Sequence, residues 1–138
     1  MIRRARPDEM ADVLEVRRVV FIVGQNVSED EERDGKDADA IHLIAFEGQT
    51  PVGTARLLLH ETIGKIGRVA VLAEVRGKGI GKAIIDVALK ELRSEGMVIA
   101  KLSAQTHALA FYEALGFVAE GPEYLDAGIL HRDMTRPL

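Results

Sequence analysis

A glycine-rich turn between a predicted strand and a predicted helix places the strongest constraint on how this chain folds. The residues before it, Ile66–Leu72, form an apolar run typical of a buried strand, and those after it, Ile80–Glu95, carry apolar side chains at helical spacing. Glycine permits left-handed backbone angles and the close approach of a bulky anion. Successive N–H groups in such a turn converge in front of the positive end of the helix. The turn therefore predicts a pyrophosphate cradle, formed by Arg76, Gly77, Lys78, Gly79, Ile80, Gly81 and Lys82.

The spacing of the glycines argues against two common phosphate loops. A Walker A loop requires a hydroxyl residue after Gly81-Lys82 and a glycine five positions before Gly81, but the chain has Ala83 and Arg76 there. The dinucleotide fingerprint G-x-G-x-x-G fails as well, since neither Lys82 nor Ile84 is glycine. The simplest alternative is a solvent-exposed turn before a surface helix, which the strand–turn–helix setting disfavours.

The predicted elements indicate an α/β fold built as one domain, residues 1–138. Strands come first as antiparallel neighbours and then around one strand–helix–strand crossover, so we expect a mixed, mostly antiparallel central sheet with helices on both faces. A helix is predicted to begin at Pro7. Others cover Ile80–Glu95 and His107–Leu115. The predicted strands are Ile2–Arg6, Ile41–Phe46, Val52–His60, Lys65–Leu72, Met97–Ser103, Phe117–Glu120 and Ile129–Thr135.

Composition narrows the classes of function. The chain has no cysteine, which excludes disulfides, zinc–thiolate sites and a thiol nucleophile. Its four histidines are widely separated and form no H-E-x-x-H motif, so we expect no metal. No apolar stretch is long enough for a bilayer span, and the N-terminus lacks a signal-peptide pattern, which together predict a cytoplasmic protein without a membrane partner. The sequence predicts no broad basic face, so we expect no nucleic-acid partner.

The negative charge of the chain is concentrated in one segment. Residues Ser28–Ala40 contain seven acids and two bases, whereas the net charge of the whole chain is −4. The segment is predicted to be a loop or frayed helix. It either attracts a cationic acceptor or is only a solvated charged loop, and the second interpretation is favoured.

The glycine turn also fits R-x-x-G-x-G, and in this form it resembles the acetyl-CoA signature of the GNAT acetyltransferase superfamily. Three further segments resemble that superfamily in the same order: the strand Ile66–Leu72, the motif Ala110–Phe117, and the tail Tyr124–His131. The early stretch Arg18–Val27 is similar to a small bacterial subfamily. The resemblance thus covers nearly the whole chain and implies one N-acetyltransferase domain, with the sheet splayed between two parallel central strands.

The resemblance implies a cosubstrate, acetyl-CoA, and no metal. It implies direct transfer of the acetyl group, in a ternary complex, to the amine of a small molecule or peptide. The alternative is a non-catalytic acyl-CoA-binding sensor or regulatory module, because Gly24 stands where the subfamily stretch commonly has an acid. A monomer and a homodimer both stay open. The residues implied in cofactor binding are those of the turn, Arg76–Lys82, together with Val69, Ala70, Val71 and Phe111.

Tyr112 is the candidate catalytic acid, because its place in the Ala110–Phe117 motif puts a phenol near the departing thiolate. The backbone N–H of Val71 or Leu72 is the candidate donor to the thioester carbonyl. No base is assigned. Gln105 either contacts pantetheine or caps the next helix, and capping is favoured. The base candidates are Glu74, His107, His42, Glu113 and a water chain to bulk solvent.

Overall fold

A single seven-stranded sheet organises the molecule. The computed structural model describes residues 1–138, and the strand order across the sheet is β1-β2-β3-β4-β5-β7-β6. Every neighbouring pair is antiparallel except β4 and β5, which are parallel. This confirms the predicted mixed, mostly antiparallel sheet. The strands are β1 (Ile2–Arg4), β2 (Ile41–Glu47), β3 (Thr50–His60), β4 (Ile63–Val71), β5 (Ile99–Gln105), β6 (Val118–Asp126) and β7 (Ile129–Pro137).

Four α-helices flank this sheet, and the first of them changes its winding. Helix α1 continues without a break into a π-helical turn, Arg18–Val23, which ends at Gly24. Short 3₁₀ turns precede α1 and α4 and follow β4. None of the helices combines the length and the apolar character needed to cross a bilayer. The helices are α1 (Met10–Arg17), α2 (Glu29–Glu32), α3 (Ile80–Ser94) and α4 (Leu109–Glu113).

Helices α3 and α1 cover opposite faces of the sheet, which are called the α3 face and the α1 face below. The apolar stripe of α3, which includes Ile84 and Leu92, packs into the main core cluster. Glycine in the sheet makes this close contact feasible, since a Cβ on Gly53 would lie 2.8 Å from Ile84 Cδ1. On the α1 face, Val16 and Val20 pack with Ala70 in a smaller cluster.

The two parallel strands pair over only part of their length. Residues Ile63–Ile66 of β4 pair with Ile99–Leu102 of β5, and no pairing between the two strands follows. Beyond this point β4 stays with β3 as far as Val71, while β5 stays with β7 as far as Gln105. A bulge in β4 accompanies the separation, and Arg68 within it has a φ of +50°. The predicted splay between two parallel central strands is therefore confirmed.

The acidic segment Ser28–Ala40 is only in part the solvated charged loop that was favoured, because three of its acids bind arginines while the other four are exposed. Attraction of a cationic acceptor by the segment stays a prediction. Buried Arg17 binds Glu32 through two hydrogen bonds, from Nε at 2.6 Å and from Nη2 at 2.7 Å, and also binds Asp37 at 2.8 Å. Arg56 holds Asp34 through two hydrogen bonds of 2.8 Å. Three of the seven acids are thus neutralised inside the fold, because arginines on α1 and β3 reach them.

Most predicted boundaries agree with the structure to within two residues. Helix α3 begins at Ile80 as predicted and ends one residue early, at Ser94. The largest difference is β6, which was predicted as Phe117–Glu120 and extends to Asp126, forming a long hairpin with β7. A bulge around Gly121–Glu123 hides the alternation that would have predicted the longer strand.

Candidate functional site

A cleft of about 470 Å³ opens where β4 and β5 separate. On β5, Leu102 and Ala104 point to the α3 face, and Ser103 and Gln105 point to the α1 face. All four residues line the cleft, so it passes through the sheet from one face to the other. Tyr112 lines it beyond β5 on the α3 face. Phe21, Gln25 and Glu31 line it on the α1 face.

The glycine turn has the donor groups of an anion cradle. The backbone N–H groups from Gly77 to Lys82 donate to no atom of the protein, whereas Arg76 N donates to Ala73 and Ala83 N donates to Gly79. Gly77 and Gly79 have φ angles of +82° and +81°, a conformation that favours glycine. Unpartnered N–H groups at the start of a fifteen-residue helix form a binding site for phosphate oxygens.

The side chains around the turn are arranged so that the cradle stays open. Arg76 Nε donates to Val71 O at 3.0 Å, which ties the turn to the end of β4. Lys78 forms an exposed ion pair with Glu47, and Lys82 is also exposed. Gly81 lies beneath Phe111, since a Cβ built on it would lie 3.6 Å from Phe111 Cζ. The ring of Phe111 is 41% exposed, so one side of it is free for a ligand.

At the end of β4 the backbone groups of successive residues point in opposite directions within the sheet. Leu72 N donates to Val52 O at 2.9 Å, so the Leu72 N–H is occupied and is not the oxyanion donor. In an antiparallel ladder the polar backbone groups alternate in direction, so those of Val71 point away from β3 and toward the gap. The side chains of Val69 and Val71 pack toward the α3 face, while Ala70 is buried under α1.

Tyr112 lies at the α3 side of the cleft with its hydroxyl unpaired. Its ring contacts Phe111 and Phe117 edge-on, at centroid distances of 5.0 and 6.0 Å. Burial raises the pKa of Tyr112 to about 12, so the phenol stays protonated at neutral pH. The hydroxyl makes no hydrogen bond within the protein. A packed ring with a free, protonated hydroxyl is well suited to donate a proton to a ligand in the cleft.

The α1 side of the cleft carries a polar surface that the sequence did not predict. Gln105 Nε2 donates to Gln25 Oε1 at 2.9 Å, so the predicted capping role of Gln105 is wrong. Tyr124 donates to Asp133 at 2.6 Å and also hydrogen-bonds Ser103. Only the resemblance of the segment Tyr124–His131 to the family pointed to this region. The residues come together because β5, β7 and β6 are adjacent in the sheet.

The base candidates from the sequence are not equally placed. His107 lines the cleft, whereas Glu74 and Glu113 are exposed and do not line it. His42 is buried, and its Nε2 lies 2.9 Å from Asp37 O, outside the cleft. His131, which was not a candidate, lines the cleft on the α1 face. Arg68 and Asp126 lie nearby.

Gly24 lies at the end of the π-helical turn and does not line the cleft. A Cβ built on Gly24 would lie 3.2 Å from Val19 O, so any larger residue is crowded by the turn below it. The next residue, Gln25, is the one that reaches the cleft. Because residue 24 does not line the cleft, glycine in place of an acid at this position removes no side chain from the cleft lining.

Comparison with protein families identifies one match over most of the chain. The family model described as "Acetyltransferase (GNAT) domain" matches residues 12–138. That range contains the splayed strands, the glycine turn and Tyr112.

Relatives and solved structures agree with this match. The uncharacterized N-acetyltransferase YjcF of Bacillus subtilis is 35% identical over 130 residues, covering 94% of this chain and 93% of its own. An acyl-CoA N-acyltransferase from Pseudomonas aeruginosa is 32% identical, with a TM-score of 0.86 over 99% of this chain and 97% of its own. The PaiA N-acetyltransferase of Thermoplasma acidophilum, solved with coenzyme A, shares the fold at 19% identity, with a TM-score of 0.77 over 100% and 98%.

Proposed function

This chain belongs to the GNAT acetyltransferase family, and on that premise we propose that it transfers an acetyl group from acetyl-CoA directly to a primary amine. Family membership supports acyl transfer, while the acetyl donor, the amine and the direct mechanism are parts of the proposal. The domain that carries out the reaction is the whole of residues 1–138. The amine belongs to a small molecule or to a peptide.

The observation that carries the proposal is the cleft that passes through the sheet. On the α3 face it adjoins Tyr112, near the glycine turn with its free N–H groups. On the α1 face it opens among polar side chains such as Gln25 and Gln105. Two reactants can therefore meet at the splay, one from each face. Holding the two reactants in line makes their reaction effectively unimolecular, which favours direct transfer between them.

The cosubstrate fits the α3 face. The N–H groups of Gly77–Lys82 would bind the pyrophosphate, and Arg76, Lys78 and Lys82 surround it with positive charge. Val69 and Val71 would contact pantetheine along the free edge of β4, and Phe111 would cover Gly81 beside the phosphates. The contribution of Ala70 is through its place in the strand, since its side chain is buried. Coenzyme A in the Thermoplasma protein with the same fold supports this assignment.

The proposed chemistry requires three events at the splay. The acceptor amine attacks the thioester carbonyl, and the Val71 N–H stabilises the negative charge that develops on its oxygen. The carbon–sulfur bond then breaks, and the Tyr112 hydroxyl gives its proton to the departing thiolate. The proton lost by the new amide nitrogen restores Tyr112. No metal enters this sequence of steps.

Turnover with a panel of amines tests the proposal against the sensor alternative. The purified protein is mixed with acetyl-CoA and, separately, with alkylamines, diamines, amino sugars, amino acids and a lysine-containing peptide, and CoA release is followed. We expect steady CoA release above the amine-free rate with at least one acceptor class. Calorimetric binding of acetyl-CoA without turnover by any amine would identify a sensor. Absence of acetyl-CoA binding would contradict both functions.

A further inference from the structure

The position of His131 on the α1 face bears on the one proposed role still without a residue, the general base. His131 is on β7, opposite Gln105 of β5 on one side and Tyr124 of β6 on the other. Paired residues in a sheet share a face, and Gln105 contacts Gln25 beside α1. His131 therefore faces the side from which the acceptor would approach. It lines the main cleft and also a pocket of about 80 Å³ that adjoins it.

Two contacts fix the orientation and the tautomer of the His131 ring. Its Nδ1 lies 2.7 Å from Ile129 O, and because a carbonyl oxygen only accepts hydrogen bonds, Nδ1 carries the proton. The neutral ring therefore has its lone pair on Nε2, which makes no hydrogen bond with the protein. The ring also stacks on Tyr124, with centroids 6.2 Å apart and planes 22° apart. The proton-accepting nitrogen is thus held in place and left available.

Acidic side chains outnumber basic ones in the small pocket that adjoins His131. Glu31 of α2 and Asp126 of β6 line the adjoining pocket, and both are exposed. Glu32 lines it too, but its carboxylate binds Arg17. Arg68 of β4 is the facing cation, and its positive charge is balanced by Glu32 and Asp34. The other titratable groups nearby are Lys36, Arg56, Lys65, His107, Tyr112, Tyr124 and Asp133.

We propose that Nε2 of His131 is the general base that removes a proton from the ammonium group of the acceptor; this rests on the proposed acetyl transfer. The ammonium loses one proton to Nε2, which later releases it to solvent. The neutral amine then forms a bond to the thioester carbon. As the carbon–sulfur bond breaks, Tyr112 protonates the thiolate, and the second proton from nitrogen restores the phenol. Each turnover thus yields amide, free CoA thiol and one proton.

The arrangement of acid and base across the sheet supports this assignment. Tyr112 lies at the α3 side of the cleft and His131 at its α1 side. The two protons move at opposite ends of the reacting carbonyl, one at the amine and one at the sulfur. His107 also lines the cleft, but no hydrogen bond holds its ring. His42 and His60 do not line the cleft.

Kinetics with two acceptors test the assignment. CoA release is measured from about pH 5.5 to 9.5 for the wild type, His131→Gln and the control His60→Gln, which changes an exposed histidine outside the cleft. The acceptors are the best alkylamine of the panel and hydroxylamine, which is largely unprotonated at neutral pH. We expect His131→Gln to lower kcat/KM for the alkylamine by about 10²–10⁴ at neutral pH, with recovery as the pH rises. The His131→Gln rate with hydroxylamine should fall at most about ten-fold, and His60→Gln should change the rate with either acceptor at most a few-fold.

The results distinguish a failure of the base assignment from a failure of the proposed acetyl transfer. A wild type that acetylates no amine contradicts the proposed function and the base together. An active wild type whose rate and pH profile match those of His131→Gln contradicts the base alone. Acetyl-CoA affinity and thermal stability, measured on each variant, should match the wild type. Long-range ¹H–¹⁵N spectra of the ring provide a readout independent of activity: Nδ1–H is expected, and a proton on Nε2 of the neutral ring contradicts the proposal.

Discussion

At the scale of single residues, burial determines what the Tyr112 phenol can do. Desolvation raises its pKa to about 12, because the phenolate would be poorly solvated among apolar neighbours. The phenol therefore keeps its proton at neutral pH. A thiolate formed beside this hydroxyl has a proton donor at hand, on a ring that packs edge-on against Phe111 and Phe117.

Tyr112→Phe tests this role, since it removes the hydroxyl and keeps the ring packing. General acid catalysis contributes about 10²–10⁴ in rate, so we expect kcat to fall by at least about 10². Acetyl-CoA affinity, measured by calorimetry, should stay within about three-fold, because the hydroxyl makes no contact that the fold needs. Tyr124→Phe is the matched control, as it removes the other tyrosine hydroxyl of the chain and keeps the ring beside His131.

A kcat of Tyr112→Phe within a few-fold of the wild type would assign Tyr112 to packing alone. Protonation of the thiolate would then fall to solvent. Because the pKa of Tyr112 is raised, its ionisation should not limit the wild-type rate below about pH 11.

At the scale of elements, the junction of β4 with α3 is the part of the fold whose sequence is most directly tied to a ligand. Gly79 needs its positive φ, so a substitution there strains the backbone by about 1–3 kcal/mol. A loss of CoA affinity in such a variant could then come from a destabilised fold and would not test the cradle. Gly81 is different. It is already helical, and a Cβ on it would make ordinary contacts with Phe111 and Val71, at 3.6 and 4.0 Å.

Gly81→Val is therefore the sharper test of the pyrophosphate cradle. Valine has a higher helix propensity than glycine, so the free energy of unfolding should not fall by more than about 0.5 kcal/mol. The added methyl groups would crowd the phosphate site, and we expect CoA affinity in calorimetry to drop by at least about ten-fold. Ser94→Val, at the far end of the same helix, controls for a β-branched residue and should bind CoA normally. An unchanged CoA affinity in a folded Gly81→Val protein would show that the pyrophosphate does not bind at this turn.

The attachment of α2 depends on one buried ion pair. Arg17 is fully buried and Glu32 is 2% exposed, and removal of one partner of such a pair leaves an uncompensated charge. We expect Glu32→Gln to lower the free energy of unfolding by about 3–5 kcal/mol in urea titrations. Glu31→Gln changes the neighbouring exposed acid and should cost at most about 0.5 kcal/mol. Equal stability of the two variants would show that the pair is not needed to hold the segment.

The elements that the sequence predicted well are those whose signals are local. The glycine turn, α3 and the hairpin of β2 with β3 depend on neighbouring residues, and the structure confirms them. The ion pairs of the acidic segment join Arg17 to Asp37 and Arg56 to Asp34, twenty and twenty-two residues apart. No local pattern distinguishes such paired acids from solvated ones. The position of His131 in the cleft has no local signal either, because its neighbours Gln105 and Tyr124 come from adjacent strands of the sheet.

At the scale of the whole molecule, which has a net charge of −4, internal ion pairs neutralise part of the acidic segment Ser28–Ala40. Glu32, Asp34 and Asp37 are balanced by Arg17, Arg56 and Arg68, which leaves Glu31 as the acid of the segment that lines the cleft without an ion pair. Because of the same ion pairs, the free energy of unfolding depends on pH in the acid range. They connect α1, α2, β3 and β4, so the whole fold responds when one of these carboxylates is protonated.

For Asp34, we predict that the difference in free energy of unfolding between the wild type and Asp34→Asn becomes smaller in acid. The hydrogen bonds from Arg56 hold its pKa well below the usual range, although burial opposes the shift. A carboxyl whose pKa is lower in the folded state stabilises the fold fully above its unfolded pKa, about 3.9, and loses that contribution as the pH falls toward the folded value. Asp34→Asn should therefore cost about 1–3 kcal/mol at pH 7, less than a fully buried pair because Asp34 is 24% exposed.

Urea titrations at about pH 7, 5, 4 and 3 measure this gap between the wild type and Asp34→Asn. The gap should be constant down to about pH 5 and shrink below about pH 4, since protonation gradually makes wild-type Asp34 as uncharged as the asparagine. Asp30→Asn is the control, because Asp30 is exposed on the same segment and forms no ion pair, so its curve should run parallel to the wild type. A gap that stays constant to pH 3 would mean that asparagine disturbs packing, and that the Arg56 pair adds no net stability.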